Sequence, residues 1–108
     1  MVTTTISIDE MAETLKLLAH PMRLTIMALL KEKEMCVCDI VDILETTQPN
    51  ASQHLKKLKG GGLINETRRS QWIFYSLSVE DKPYLKEIIE QLPSMRGKIQ
   101  SLHCNDCC

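Results

Sequence analysis

Residues 36–59, CVCDIVDILETTQPNASQHLKKLK, constrain the fold more than any other stretch of the chain. Ile40, Val41 and Leu44 make the apolar stripe of a short helix, expected to start near Cys38 or Asp39. Thr46 and Thr47 make a turn, with Thr47 as the N-cap of a second helix. Gln48 and Pro49 fit its first turn, where proline forfeits no hydrogen bond. Ala51, Leu55 and Leu58 recur at i, i+4, i+7 and form its inward face. Asn50, Gln53, His54, Lys56 and Lys57 occupy the remaining surface, and Gly60-Gly61-Gly62 ends the helix. The pattern is a helix-turn-helix whose second helix is polar and basic outside.

The flanks complete that unit. Ser7 caps a first helix with Asp9 and Glu10 in its opening turn, and Ile8, Met11, Ala12, Leu15 and Leu18 are expected to face inward. His20-Pro21 breaks it. From Met22 to Leu30 the next helix is apolar nearly all round, as expected of a helix at the centre of a core. After the glycines, Leu63–Thr67 and Trp72–Leu77 read as a β-hairpin joined by Arg68-Arg69-Ser70-Gln71. A last helix over about Glu80–Leu92 carries Leu85, Ile88, Ile89 and Leu92, a stripe suited to pairing with a symmetry mate or to lying across the core. The chain thus divides into a domain over 1–92 and a cysteine-rich tail over 93–108.

At 108 residues the chain makes one modest core. No apolar run is long enough for a membrane span. The N-terminus, MVTTTISIDE, lacks the basic region of a secretory signal, so the expected compartment is the cytoplasm. Net charge is −1, but it is sorted: Lys56, Lys57, Lys59, Arg68 and Arg69 stand against Glu66 alone in 51–75. Five cysteines in a reducing compartment argue against a disulfide framework. They cluster as Cys36 and Cys38, then Cys104, Cys107 and Cys108, which favours ligation or redox work.

Two chemistries follow. The second helix of the pair can enter a major groove, with Gln48, Asn50, Ser52, Gln53 and His54 toward base edges and Lys56, Lys57, Arg68 and Arg69 toward phosphates. The expected partner is double-stranded DNA. The other chemistry is thiolate. Residues i and i+2 of a helix point about 200° apart, whereas in an extended segment they share a side. Cys36 and Cys38 therefore grip one ion only if the start of the helix is held open. The helix N-terminus is expected to lower their thiol pKa. Cys104, Cys107 and Cys108 are the candidates to complete the site or to form a second one. Cys-x-Cys is not the Cys-x-x-Cys redox motif and no βαβ pattern surrounds it, so no enzyme, organic cofactor or small organic substrate is expected.

These residues resemble the ArsR–SmtB family of winged-helix metal-sensing repressors, over roughly residues 10–92. The resemblance rests on LLAHPMRLTIMALL (17–30), EMCVCDIVDIL (34–44), TTQPNASQHLKKLKGGGLI (46–64) and WIFYSL (72–77). It implies a mainly α, winged helix-turn-helix homodimer that leaves its operator when an ion binds. The Cys-Val-Cys-Asp stretch is similar to that of the arsenic- and antimony-responsive branch, and also to that of the cadmium/lead branch. Three departures matter: the third cysteine of one arsenic-sensing pattern is Val41 here, residues 1–35 hold no cysteine, and Glu80–Leu92 holds no histidine for an interface zinc site. The expected effector is As(III) or Sb(III) on Cys36, Cys38 and a tail cysteine, with Cd, Pb or Zn, or thiol oxidation, as the alternatives.

Overall fold

The computed structural model describes residues 7–100. Its elements are α1 (Ile8–Leu18), α2 (Pro21–Glu32), β1 (Met35–Cys36), α3 (Val37–Leu44), α4 (Gln48–Gly60), β2 (Ile64–Arg69), β3 (Trp72–Leu77), α5 (Pro83–Glu90) and α6 (Arg96–Gln100). The tail cysteines Cys104, Cys107 and Cys108 lie outside the described residues. Among those described, no helix is long and apolar enough to cross a membrane.

α2 is the hub. His20 caps it, its Nδ1 accepting from the Met22 amide at 3.2 Å, and Pro21 begins it. Ile26, Met27, Ala28, Leu29 and Leu30 are all buried, as the all-round apolar pattern requires. Around them pack Ile40 of α3, Leu55 and Leu58 of α4, Ile64 of β2, and Leu85 and Ile89 of α5. Each such side chain contributes about 1.5–3 kcal/mol when removed from water.

α1 starts at a capping box. Ser7 Oγ accepts from the Glu10 amide at 3.0 Å while Glu10 Oε1 accepts from the Ser7 amide at 3.1 Å. Its inward face is rotated from the expected one. Thr14 and Leu18 are buried and Met11 and Leu17 half-buried, whereas Ile8 is 87% and Leu15 40% exposed. Ile8, Ala12 and Leu15 thus form an outward apolar line at i, i+4, i+7. α5, shorter at both ends than the expected helix over about Glu80–Leu92, directs Leu85 and Ile89 into its own core and leaves Ile88 half-buried, while Leu92, also half-buried, lies past its end.

The sheet has three antiparallel strands in the order β1-β3-β2. The hairpin is present, but β2 runs through Arg69, leaving Ser70-Gln71 as the turn. Ser70 takes φ 60°, the left-handed conformation that glycine or asparagine usually supplies. The third strand, β1, pairs Met35 with Tyr75 and Cys36 with Phe74. At the end of α4 the left-handed residue is Gly62, at φ 76°. A Cβ on Gly61 would meet Leu17 Cδ1 of α1, so a larger residue there would require the Leu17 side chain to shift.

Candidate nucleic-acid interface and thiol site

α4 begins as expected. Thr47 Oγ1 accepts from the Asn50 amide at 3.3 Å, and Ala51, Leu55 and Leu58 are buried beneath the helix. Gln48, Ser52, Gln53, Lys56 and Lys57 are exposed, and so are Arg68 and Arg69 on β2. These seven are the exposed ones among the nine side chains expected to meet DNA.

The other two, Asn50 and His54, are half-buried and hydrogen-bonded within the fold. Asn50 is half-buried, and its Nδ2 donates to Thr46 Oγ1 at 2.9 Å and to Met22 Sδ at 3.4 Å. It braces the turn against α2. His54 Nδ1 accepts from Arg23 Nε at 3.1 Å, and its ring lies 4.6 Å from that of His20. Arg23 Nη1 also donates to the Leu17 carbonyl at 3.0 Å. One guanidinium thus ties the end of α1 and the middle of α4 to α2. Burial pushes the His54 pKa below its ordinary value, and the nearby His20, Arg23 and Lys57 push the same way. Nothing local marks Arg23 for this role, because it stands within an otherwise largely apolar stretch and its partners, Leu17 and His54, lie on other helices.

The thiol pair sits at the junction of β1 and α3. Cys36 ends the strand in extended conformation (φ −86°, ψ 165°) and is the N-cap of α3, while Cys38 is the second residue of that helix. Their sulfurs are 2.6 Å apart. The helix starts at Val37, earlier than expected, and the sulfurs converge with it fully formed. The expected conflict between an intact helix and a shared side does not arise, because the backbone changes from strand to helix between the two cysteines. Asp39, not among the expected ligands, joins them: ligand atoms of Cys36, Cys38 and Asp39 all lie within 4.8 Å of one another. The signal for it was adjacency, since Asp39 directly follows Cys38.

The expected depression of the thiol pKa is overturned for Cys38. Burial raises it, and Asp39 and Asp42 raise it further; hydrogen bonds from the Asp39 and Cys38 amides at the helix start lower it but lose. Burial also raises the Asp39 carboxyl, with Asp42 adding to the rise and Lys33 opposing it. Two sulfurs and a carboxylate oxygen at one point fit a soft or borderline cation.

A helix-turn-helix whose second helix is polar and exposed, backed by a β-hairpin, defines a winged helix-turn-helix DNA-binding transcription regulator. The family described as "Bacterial regulatory protein, arsR family" matches residues 20–66. An uncharacterized HTH-type transcriptional regulator of Methanocaldococcus jannaschii is 41% identical over 83 residues, covering 76% of this chain and 90% of its own. The arsenical resistance operon repressor of Escherichia coli is 38% identical over 77 residues, covering 70% and 66%. The solution structure of a homodimeric winged helix-turn-helix DNA-binding domain from Mycobacterium bovis, described as a possible ArsR-family regulator, superposes with a TM-score of 0.68. It is 29% identical and covers 83% of this chain and 87% of that one. The chain belongs to the arsR family of transcription repressors.

Proposed function

We propose that the chain is a homodimeric repressor that covers an operator and leaves it when Cys36 and Cys38 hold a thiophilic ion. The observation that carries this reading is the convergence of the two sulfurs at the start of α3, the first helix of the DNA-binding pair. As(III) or Sb(III) is the effector the thiolates suit best, with a third sulfur from Cys104, Cys107 or Cys108. The carboxylate of Asp39 beside the pair supports a second reading, Cd, Pb or Zn, because borderline cations accept oxygen more readily.

Gln48, Ser52 and Gln53 face the major groove; a good bidentate pair gives about 1–3 kcal/mol of discrimination. Lys56, Lys57, Arg68 and Arg69 meet phosphates and fix the register. Asn50 and His54 hold α4 in place rather than read bases. A second copy covers the outward apolar line of α1, whose Ile8 and Leu15 are the large exposed hydrophobics among the described residues. Release is a coupling free energy between ion and operator, about 1–3 kcal/mol in most such systems.

The test is operator affinity with and without arsenite for wild type, Cys36→Ser and Cys38→Ser. Both variants should bind DNA normally and ignore arsenite. Release from both would place the sensing site elsewhere.

A further inference from the structure

Arg69 reaches two residues that flank the strand carrying Cys36. It ends β2, and its guanidinium meets Glu34 twice: Nη1 lies 2.7 Å from Oε1, and Nη2 donates to Oε2 at 3.0 Å. The same guanidinium stands 4.9 Å from the centroid of the Phe74 ring. Phe74 is the cross-strand partner of Cys36. Glu34 immediately precedes β1 and lies two positions before Cys36. A wing arginine therefore touches both the upstream end of the strand that carries Cys36 and the residue opposite Cys36. The other ion pair on β2, Lys59 with Glu66 at 2.6 Å, ties the wing to α4 instead.

The Arg69–Glu34 pair has the two-pronged geometry that arginine also offers to phosphate. Its side chains are 55% and 34% exposed, so water screens the pair and a polyanion can displace the carboxylate. We infer that Glu34 is a decoy acceptor: it competes with operator phosphate for Arg69, and the thiol pair sets how well it competes. This rests on the reading of Cys36 and Cys38 as the ion site. To reach a phosphate, Arg69 must leave Glu34. When Cys36 and Cys38 close on an ion, the β1–α3 junction is pinned, and Glu34 is pinned with it in the position that holds Arg69. Ion and operator then oppose each other through one side chain. Glu34 is a positioning residue, since it touches neither ion nor DNA.

The experiment uses the full chain and a duplex selected by the wild-type protein from a randomised library, with arsenite and cadmium as separate probes. In ion-free buffer Glu34→Gln should bind the duplex more tightly, by up to about fivefold per protomer engaged. It should also lose part of the ion-driven drop in affinity. Ion binding without DNA, read from thiolate-to-ion ultraviolet absorbance, should keep the wild-type stoichiometry and spectrum and weaken only by the share of the coupling that Glu34 carries. Arg69→Ala should make the salt dependence of log K shallower by about one unit per protomer, and Glu34→Gln should have no effect in that background. Equal or weaker duplex binding by Glu34→Gln, with a wild-type ion response, leaves Glu34 a structural residue and overturns the inference while the ion site stands. If wild type binds neither ion, the ion site and the inference fall together.

Discussion

Replacing Arg23 with Met keeps most of the aliphatic stem and removes both hydrogen bonds of the guanidinium, to the Leu17 carbonyl and to His54 Nδ1. Hydrogen bonds from charged groups are worth roughly 1.5–3 kcal/mol each, and the half-buried setting argues for the low end. The expected loss is about 2–3 kcal/mol, or on the order of 10–20 °C in Tm for a domain of this size. Urea unfolding at fixed protomer concentration measures it, with the m-value unchanged. A pH signature should accompany the loss. The folded state holds His54 below its ordinary value of 6.5, so it disfavours the charged ring. The stability contributed by neutral His54 is present above 6.5 and is lost as pH falls from there through the folded value. Burial, the largest cause, survives the substitution, but one cationic neighbour goes. The His54 titration seen by NMR should move upward and the acid-side slope should flatten. A loss below about 0.5 kcal/mol with an unmoved titration would refute the account of Arg23 as the tie between three helices.

Asp39→Asn should weaken cadmium-driven release while leaving arsenite-driven release near wild type; a parallel loss of both would mean that Asp39 only shapes the fold. Gln53→Ala should relax base preference at one operator position by about 1–3 kcal/mol, measured on a panel of single-substitution duplexes. Asn50→Ala should instead cost about 1 kcal/mol of stability with base preference intact, because its amide braces Thr46 and Met22. Leu15→Lys should shift the sedimentation coefficient toward monomer and weaken operator binding with it, as the proposed dimer, with one copy on each half-site, requires.

The elements that carry strong local signals were legible in the sequence. α4 announced itself through a capping threonine, an early proline, three apolar residues at helical spacing and a glycine stop. α2 did so through apolarity on every side. What escaped depends on partners distant in the chain. β1 is two residues long, too short to show a period, and exists because β3 lies beside it. α1 carries apolar residues on two faces, and only the packed structure decides that Thr14 goes in while Leu15 stays out. Asn50 and His54 are polar residues on the flank of α4, and the groups that turn them inward, Met22 and Arg23, are 28 and 31 positions away. The Arg69–Glu34 contact spans 35 positions and has no local signature at all.

The two thiols are unequally reachable. Cys36, at the end of edge strand β1, is 1% exposed and Asp39 is 7% exposed, whereas Cys38 is half-buried at the surface end of the cluster. Solvent therefore meets the site at one sulfur. At the proposed ion site, capture would begin there and finish inward, so that the speed of the response would be set by how often the buried strand residue breathes, and its selectivity by what can survive on a single sulfur until it does.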